Sequence, residues 1–545
     1  MRLRLTVLAL VCASWLSAQQ APTFPRASYF RKMFSTPTGR VELQPPVRLS
    51  DFVVDGKLEL SLRSYLDLVM ANNTDIAVQK LTVDTARNNI MGAFGRFDPT
   101  LTGSFSNTRA ATPATSQLEG STVAKQLTQP AQFQYNQTLQ TGTQFNLGFN
   151  ASKTSNNNSF STYNPALSSN FSFGFTQPLL RGRGGYITRI QITIARARLR
   201  STELNLKSQV ISMVQGAEGA YWDVVGAREN LKVQTESLAL RKESLARSEK
   251  ELELGALPPL DIFQPQADYA TAEISVTQSK FRLAQLEDAL RRQIGADLDP
   301  RFREVPIVLT EAVTPPTEAG VVDKEALVQK AVESRPDLLA ARIGLETDDL
   351  TIRQVSDTLR PQLNLTGSYQ SNGRGGIQYV RSGFGDSAVT QVLPGGFYDA
   401  LGQVFAFNFT TYSLRLNLSL PLRDRAGAAN LANALVQKKS DLLSLRSREQ
   451  GLRLDVLNAI TAMESSRESV KQSIIARDLA IKQLDAAKLK YDLGTTEMYF
   501  VLDAQTRLTA AESSVITNSI NYWRNQTALL RATGTLLEER GIVIQ

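Results

Sequence analysis

The sequence predicts a mixed α/β membrane protein in which several chains share one β-barrel that continues into a long antiparallel α-helical coiled-coil barrel. Three observations lead to this fold class. The chain carries an internal two-fold repeat, each half holds one very long proline-free stretch, and each half holds short runs of alternating apolar and polar residues. Heptad spacing indicates packed helices, and strict alternation indicates strands with two different faces.

Composition limits the possible functions. The chain has 545 residues, 42% apolar and 21% charged, so it can bury a large core and is not disordered. It contains no histidine, which excludes a histidine-based triad, a histidine base and a histidine-ligated metal. The net charge of +8 is modest, and no block of Lys and Arg suggests nucleic-acid binding. We therefore predict no enzyme activity, no catalytic residue, no cofactor, no metal and no nucleic-acid partner.

The amino terminus has the pattern of an export signal. Two arginines precede an apolar run from Leu5 to about Leu16, and small residues follow where a signal peptidase would cut, after Ala18. This run is too short to cross the ~30 Å hydrocarbon core of a bilayer as a helix, which argues against a membrane anchor. We predict a signal peptide at 1–18 and an N-terminal extension of unassigned role at 19–50. The only cysteine, Cys12, would be removed with the signal.

The rest of the chain repeats its own spacing. Asp75-Ile76 recurs as Asp337-Leu338, and a proline follows each pair at the same distance. Leu254-Gly255 recurs as Leu493-Gly494, and a further glycine follows each pair at the same distance. These matches define two structural repeats with a proline-containing linker between them and a short tail after them. The segments are 51–300 for the first repeat, 301–320 for the linker, 321–535 for the second repeat and 536–545 for the tail.

Each repeat has the same order of elements: helix, strands, very long helix, turn, helix. In the first repeat we predict helix 58–95, strands 99–108 and 169–177, long helix 187–254 and helix 259–294. In the second we predict helix 323–358, strands 361–370 and 403–420, long helix 427–493 and helix 497–533. The long stretches carry apolar residues at every seventh position, which predicts a coiled-coil seam packed in the core. One such series is Val224, Leu231, Leu238, Leu245 and Leu252.

The strand runs alternate between apolar and polar residues, as expected for a barrel with a lipid-facing outside and a wet lumen. No later window of about twenty apolar residues offers a transmembrane helix, so a membrane-spanning part must consist of strands. A half-buried sheet of a soluble protein would show the same alternation. Residues 131–152 form a further hairpin candidate, placed either in the barrel wall or in an external loop. The predicted lipid-facing residues are Phe171, Phe173, Phe175, Leu414, Leu416, Leu418 and Leu420.

The strand count predicts an oligomer. Four core strands per chain cannot close a barrel with a lumen, since closure needs about eight or more. A lone sheet in lipid would leave its edges without hydrogen-bond partners. Three chains would supply twelve strands and twelve helical columns. We therefore expect a homotrimer.

This arrangement of two similar structural repeats resembles that of the TolC-type outer-membrane efflux proteins. The residues that carry the resemblance are Asp337-Leu-Leu-Ala-Ala-Arg342, Gln177-Pro-Leu-Leu180 and the segment from Tyr491-Asp-Leu-Gly494 to Val501-Leu-Asp-Ala-Gln-Thr-Arg-Leu508. The resemblance covers about residues 51–540. It implies a trimeric barrel in the outer membrane, a helical tunnel across the periplasm, a periplasmic adaptor protein and an inner-membrane pump of the RND, ABC or MFS type.

The resemblance also implies site residues. Leu254, Gly255, Leu493 and Gly494 match the tips of the family's helical hairpins, where the adaptor docks. Asp503 matches a carboxylate that narrows the periplasmic mouth, and the repeat offset places Asp261 one turn from the equivalent position. Three or six carboxylates around a narrow pore would favour cations. Ordinary helix capping and a solvated helix-end carboxylate are the structural alternatives.

Two other functions remain open from the sequence. The trimeric channel could be the outer-membrane outlet of an ABC-driven type I protein secretion system. Alternatively, the chain could be a non-conducting coiled-coil surface stalk with a β anchor.

Overall fold

The computed structural model describes residues 46–114, 121–255, 258–315, 323–383 and 388–543. The predicted signal peptide with Cys12, and most of the 19–50 extension, lie outside these residues, as do parts of the 301–320 linker and of the tail. The chain divides after Pro46, and every element named below belongs to the part that begins at Val47.

Helices make up most of the described chain. They are α1 Leu62–Asn72, α2 Thr74–Phe94, α3 Gly185–Thr188, α4 Ile190–Glu253, α5 Phe263–Gln293, α6 Lys324–Ser334, α7 Pro336–Thr358, α8 Phe397–Phe405, α9 Arg425–Asp492, α10 Met498–Ala532 and α11 Leu536–Glu539. The two long helices α4 and α9 have 64 and 68 residues. At 1.5 Å per residue each is roughly 100 Å long. No helix within the described ranges combines the length and the apolar character that a membrane span requires.

Strands form two sheets. They are β1 Val53–Val54, β2 Lys57–Leu60, β3 Thr100–Phe105, β4 Thr108–Pro113, β5 Val123–Thr138, β6 Gln144–Asn156, β7 Tyr163–Pro178, β8 Ile307–Leu309, β9 Gln362–Arg381, β10 Val389–Leu393 and β11 Phe409–Ser419. The small sheet has the order β1-β2-β8. The large antiparallel sheet contains the other strands.

The large sheet is six strand positions wide. Strands β5, β6, β7 and β9 lie side by side in that order, and each pairs along most of its length with the next. The outer side of β5 pairs with β3 and, further along, with β4. The outer side of β9 pairs with β11 and, further along, with β10. The predicted 131–152 hairpin is therefore part of this sheet, between β3 and β7.

Two segments predicted as single helices are each interrupted. In 58–95 the chain forms β2, α1 and α2, and in 323–358 it forms α6 and α7. The breaks fall at Asn73 and Arg335, which are related by the same repeat offset and have nearly the same extended backbone, with ψ of 118° and 121°. The Asn73 side chain accepts hydrogen bonds from the N–H groups that begin α2. Pro336 restricts Arg335 to extended conformations. A local backbone signal thus overrides the helical periodicity.

The predicted strand 403–420 is also wrong at its start, because residues up to Phe405 belong to α8. The Asp399 carboxylate accepts a hydrogen bond from the Gly396 N–H at 2.6 Å, which caps the first turn. The hydroxyl of Ser371, on β9, donates to the Val404 carbonyl at 2.8 Å and fastens the helix to the sheet. The predicted strand 99–108 is interrupted after Phe105, so that it forms β3 and the beginning of β4.

The helices lie in four adjacent columns. Helices α2 and α5 pack along one side of α4, while α7 and α10 pack along its other side. Helix α9 packs on α7 and α10 and so forms the last column. The column of α2 and α5 and the column of α9 are therefore the two edges of the helical layer. The chain enters the large sheet from α2 through β3 and leaves it from β11 into α9, so the edges of the sheet follow the edges of the helices.

The main core lies where the small sheet and α1 pack against the middle of α4. Tyr221 is fully buried, and its hydroxyl donates to the Leu60 carbonyl at 3.1 Å. Its ring lies 5.6 Å from that of Tyr65, and the neighbouring Trp222 stacks on Trp523 at 4.9 Å. These aromatic pairs join both repeats, because Trp523 belongs to α10.

Candidate functional site

The two predicted tips are the turns that join α4 to α5 and α9 to α10. Gly255 and Gly494 have φ angles of 73° and 70°, in the left-handed region that glycine adopts without strain. Gly494 N–H donates to the Tyr491 carbonyl and Thr495 N–H to the Lys490 carbonyl, the double hydrogen bond of a Schellman motif. Leu254 and Leu493 are 76% and 69% exposed. Each tip thus presents a large apolar side chain to its surroundings, beside the glycine that ends the helix.

The ends of α4 and α9 are tied together next to these turns. Arg247 Nη1 lies 2.8 Å from Asp492 Oδ1, and the guanidinium group lies 4.7 Å from the centre of the Tyr491 ring. The Tyr491 hydroxyl in turn donates to Glu251. Hydrogen bonding to Asp492 raises the pKa of Arg247. Desolvation and the Glu251 carboxylate raise the pKa of Tyr491 to about 12.

The two predicted mouth carboxylates occupy different places. Asp503 lies on the first turns of α10 and is half-buried, and its carboxylate is paired with Arg507 Nε at 2.8 Å. Asp261 is exposed in the turn before α5, where its N–H donates to the Pro258 carbonyl at 3.0 Å. Within the described residues no arginine or lysine is paired with both carboxylates. The Arg507 partner was missed from sequence, although the i, i+4 spacing of Asp503 and Arg507 on a helix signals such a pair.

A polar ladder joins α4 to α10 above the tips. Thr506 accepts a hydrogen bond from Arg241 at 2.7 Å, and Gln505 donates to Ser244 at 3.0 Å. Thr509 continues the ladder by donating to the α4 residue Ser237 at 3.0 Å. Arg241 is 9% exposed, and it also forms an ion pair at 3.2 Å with Asp268 of α5. This side chain therefore links three helices.

The predicted heptad seam on α4 differs from this arrangement. Val224 is fully buried, as expected, but Leu231, Leu238, Leu245 and Leu252 are only half-buried. The residues buried in this stretch include Ser237, Arg241, Ser244 and Ser248. Small side chains let α10 approach closely, and the hydroxyls of Ser237 and Ser244 accept hydrogen bonds from α10, whereas the buried Ser248 hydroxyl has no partner in the described part of the chain. The heptad spacing identified the helix correctly but assigned its most buried face to the wrong residues.

The large sheet has one apolar face and one polar face across its whole width. Phe171, Phe173 and Phe175 of β7 share a face with Leu414, Leu416 and Leu418 of β11, as their registers with β9 require. Leu420 comes just after the end of β11 and is exposed. Along one cross-strand row of this face the side chains are Leu101, Tyr135, Leu147, Phe173, Tyr369 and Tyr412. In an adjacent row on the opposite face they are Thr100, Asn136, Asn146, Gly174, Ser368 and Ser413.

Exposed apolar side chains are concentrated on the edge columns of the helical layer. In the described chain, α4 and α7 contain no large apolar side chain classed as exposed, and α10 has only Tyr499 and Phe500, close to its tip. The edge helices α2 and α5 expose Val78, Leu81, Met91, Phe263, Ile274 and Phe281. The opposite edge helix α9 exposes Leu435, Val436, Leu442, Leu443, Leu454, Ile475, Leu479, Ile481 and Leu489. Unpartnered apolar area of this extent marks an interaction surface.

Comparison with known proteins gives a family match over most of the chain. The profile described as "Outer membrane efflux protein" matches residues 143–296 and 327–535. Outer membrane protein TolC of Vibrio cholerae serotype O1 is 23% identical over 358 residues, which cover 64% of this chain and 74% of that protein. Outer membrane protein TolC of Escherichia coli strain K12 is 24% identical over 344 residues, which cover 60% of this chain and 62% of that protein. The second alignment thus spans less than two thirds of the relative's length.

Solved structures share the fold. The crystal structure of the Campylobacter jejuni CmeC outer membrane channel superimposes with a TM-score of 0.61 at 15% sequence identity, and the match covers 95% of each chain. At this level of identity the likeness concerns the arrangement of helices and strands, which is the mixed α/β fold with helical and sheet parts described above.

Proposed function

This chain belongs to the outer membrane efflux protein family, and from that membership we propose that three copies form a passive exit channel for substrates across the periplasm and the outer membrane. It is an outer-membrane protein that extends into the periplasm. In the proposed assembly the apolar face of the large sheet contacts lipid, the polar face lines the lumen, and the helical columns form the periplasmic tunnel. The channel catalyses no reaction, and its partners supply the energy for transport.

One observation supports the assembly: among the described residues, the apolar edges of the helical layer that no other helix covers coincide with the edges of the sheet that pair with no further strand. The edge formed by α2 and α5 continues into β3, and the edge formed by α9 continues from β11. A second copy placed against either edge would cover exposed leucines and pair free strand groups at the same time. Each buried Å² of apolar surface contributes about 25 cal/mol. Ring closure by identical copies then leaves no edge open.

The tips are the proposed docking site for a periplasmic adaptor, which in turn would join an inner-membrane pump. Leu254 and Leu493 are exposed beside their glycine turns, at the end of the molecule farthest from the sheet along α4 and α9. Two apolar tips per chain, repeated around a three-fold axis, would form six similar knobs. In this proposal Asp503 and Asp261 lie around the periplasmic mouth, and each Asp503 carries its own Arg507.

Native mass spectrometry in detergent and conductance in planar bilayers test the proposal. We expect trimers and discrete channel openings. The variant Leu443→Asp, on the exposed face of α9, should reduce the trimer fraction at least tenfold. The matched control is Leu443→Met, which keeps an apolar side chain of similar size at the same exposed position. A monomeric native protein would contradict the assembly, and trimers that never conduct would favour the surface stalk.

A further inference from the structure

The β5–β6 hairpin spans the full height of the sheet. Strand β6 pairs with β7 from Gln144 opposite Thr176 to Thr154 opposite Ala166. Strand β5 pairs with β6 over a similar length, from Thr138 at one end to Gln126 at the other. The hairpin is therefore built into the sheet and is not a short extension from its rim.

The hairpin turn is seated at the foot of the sheet, where β7 leads into the helices. Gly142 has a φ of 94°, and a Cβ at this position would lie 2.9 Å from the Gly182 carbonyl oxygen. The Thr143 hydroxyl donates to the Gln177 side chain one residue before the end of β7. These contacts anchor the turn against the junction between strand and helix, so both hairpin strands begin at the level of the neighbouring strands.

Both faces of the sheet continue through the hairpin without interruption. On the apolar side Phe133 lies opposite Phe149, which lies opposite Phe171 of β7. On the polar side Asn136 lies opposite Asn146. A hairpin in an external loop would have no reason to match the two-sided alternation of the wall strands.

Building on the proposed trimer, we propose that each chain contributes six strands to the wall, so that the closed barrel has eighteen strands instead of twelve. Neighbouring strands alternate in direction from β3 to β11, so the two edge strands run in opposite directions. Strand β11 of one copy can then pair antiparallel with β3 of a second copy. Barrel diameter grows roughly linearly with strand number, which makes this outlet about half again as wide as a twelve-stranded one.

The width of the helical layer agrees with six strands. Four helical columns spaced by about 9 Å span about 36 Å. Six strands spaced by about 4.8 Å and tilted by about 40° span about 37 Å, whereas four such strands span about 25 Å. A six-stranded sheet thus continues the helical wall with little change in radius, and the outlet would admit cargo as wide as the tunnel itself.

Cysteine pairs in a Cys12→Ser background, oxidised in isolated outer membranes, test the strand order. Thr102→Cys with Gln134→Cys and Asn150→Cys with Asn170→Cys join strands that are direct neighbours in the six-strand order. Their Cα atoms should lie about 5 Å apart, within disulfide range. The discriminating pair is Thr102→Cys with Ser172→Cys, on β3 and β7. With β5 and β6 between them these residues are about 14 Å apart and cannot bridge, whereas a four-strand wall would bring them together.

We expect nearly complete bridging of the first two pairs and only background bridging of the third, together with eighteen strands in electron cryomicroscopy of the trimer. Bridging of Thr102→Cys with Ser172→Cys, or a count of twelve strands, would overturn the inference while leaving a conducting trimer intact. A monomer, or a trimer that does not conduct, would count against the proposed function and not against the order of strands within the chain. The bridging assay within one chain therefore tests the strand order independently of the proposed channel function.

Discussion

The Asp503 carboxylate of α10 accepts a hydrogen bond from Arg507 Nε at 2.8 Å, one helical turn further along. If Asp503 lines the periplasmic mouth, three copies place three carboxylates and three guanidinium groups there. The mouth would then carry little net charge from this pair, instead of the cation-selective ring of carboxylates that the sequence alone predicts.

Arg507→Ala should make the channel more selective for cations, because each copy then leaves an uncompensated carboxylate. Asp503→Ala should shift selectivity towards anions for the converse reason. The measurement is the reversal potential in a KCl gradient across a planar bilayer, with Arg507→Lys as the charge-conserving control. Identical reversal potentials in all three variants would show that neither residue borders the narrowest part of the pore.

Arg247→Ala should loosen the tips, because this side chain joins α4 to Asp492 and stacks on Tyr491 of α9. The pair is partly exposed, so its loss should cost no more than about 1 kcal/mol locally and should leave global stability almost unchanged. Hydrogen exchange is the measurement, and we expect faster exchange near the ends of α4 and α9. Arg247→Lys keeps the charge but not the planar stacking group, and it should be intermediate. Unchanged exchange would remove Arg247 as a restraint on the tips.

Arg540→Ala should destabilise the protein strongly. Arg540 is paired with Glu218, whose side chain is fully buried in the middle of α4 and also accepts a hydrogen bond from Thr527 at 2.7 Å. Removing the arginine leaves a buried carboxylate without its counter-charge, which typically costs about 3–5 kcal/mol.

Thermal unfolding of the detergent-solubilised protein measures this effect. The double variant Glu218→Gln with Arg540→Met should recover most of the loss, because it removes both charges and keeps an acceptor for Thr527. An Arg540→Ala variant as stable as the native protein would mean that the ion pair between Arg540 and Glu218 contributes nothing to stability.

Asp348→Asn should stabilise the protein at neutral pH. Asp348 of α7 faces Asp441 of α9, with Asp349 and Lys438 nearby, and desolvation followed by repulsion from Asp441 raises its pKa to about 6. A carboxyl group whose pKa is higher in the folded state than the ordinary 3.8 binds more protons when folded between about pH 4 and pH 6. Its contribution to stability therefore falls as pH rises through that window.

Asp348→Asn removes the cost of ionising this carboxyl group in the folded protein. The difference in stability from the native protein should therefore be largest above pH 6 and vanish near pH 4. Because Asp348 is only partly buried, the gain at pH 7 should be below about 1 kcal/mol. Denaturant unfolding at pH 4, 6 and 8 measures it, and the control is Asp485→Asn, at an exposed carboxylate of α9 that forms no ion pair in the described ranges. A difference that does not change with pH would show that Asp348 titrates normally.

Local sequence signals accounted for much of the fold. The repeated glycines at 255 and 494 end the two long helices, and those at 295 and 534 end the helices that follow, all with positive φ. The alternating runs correctly predicted which residues share a face of the sheet. The interruptions at Asn73 and Arg335 were also local, and an N-cap asparagine and an X-Pro pair could have revealed them.

The side-chain contacts between helices at the candidate site could not be predicted from the sequence. Arg241 connects to Thr506 and Asp268, which are far from it along the chain, and no spacing within α4 indicates these partners. The same holds for Glu218 and Arg540, which come from the middle of one helix and the end of the chain. Such pairs depend on how helices are placed against one another, and a single sequence contains that information only indirectly.

By itself, the sequence determined the repeat, the helix ends and the two-sided strands, because caps, turns and periodicity act over a few residues. The tertiary structure decided which strands are neighbours and which side chains meet between helices. The position of β5 and β6 between β3 and β7 depends on hydrogen bonds formed along whole strands. Register between distant segments is selected by the sum of many weak cross-strand contacts, and only the folded chain brings those contacts together.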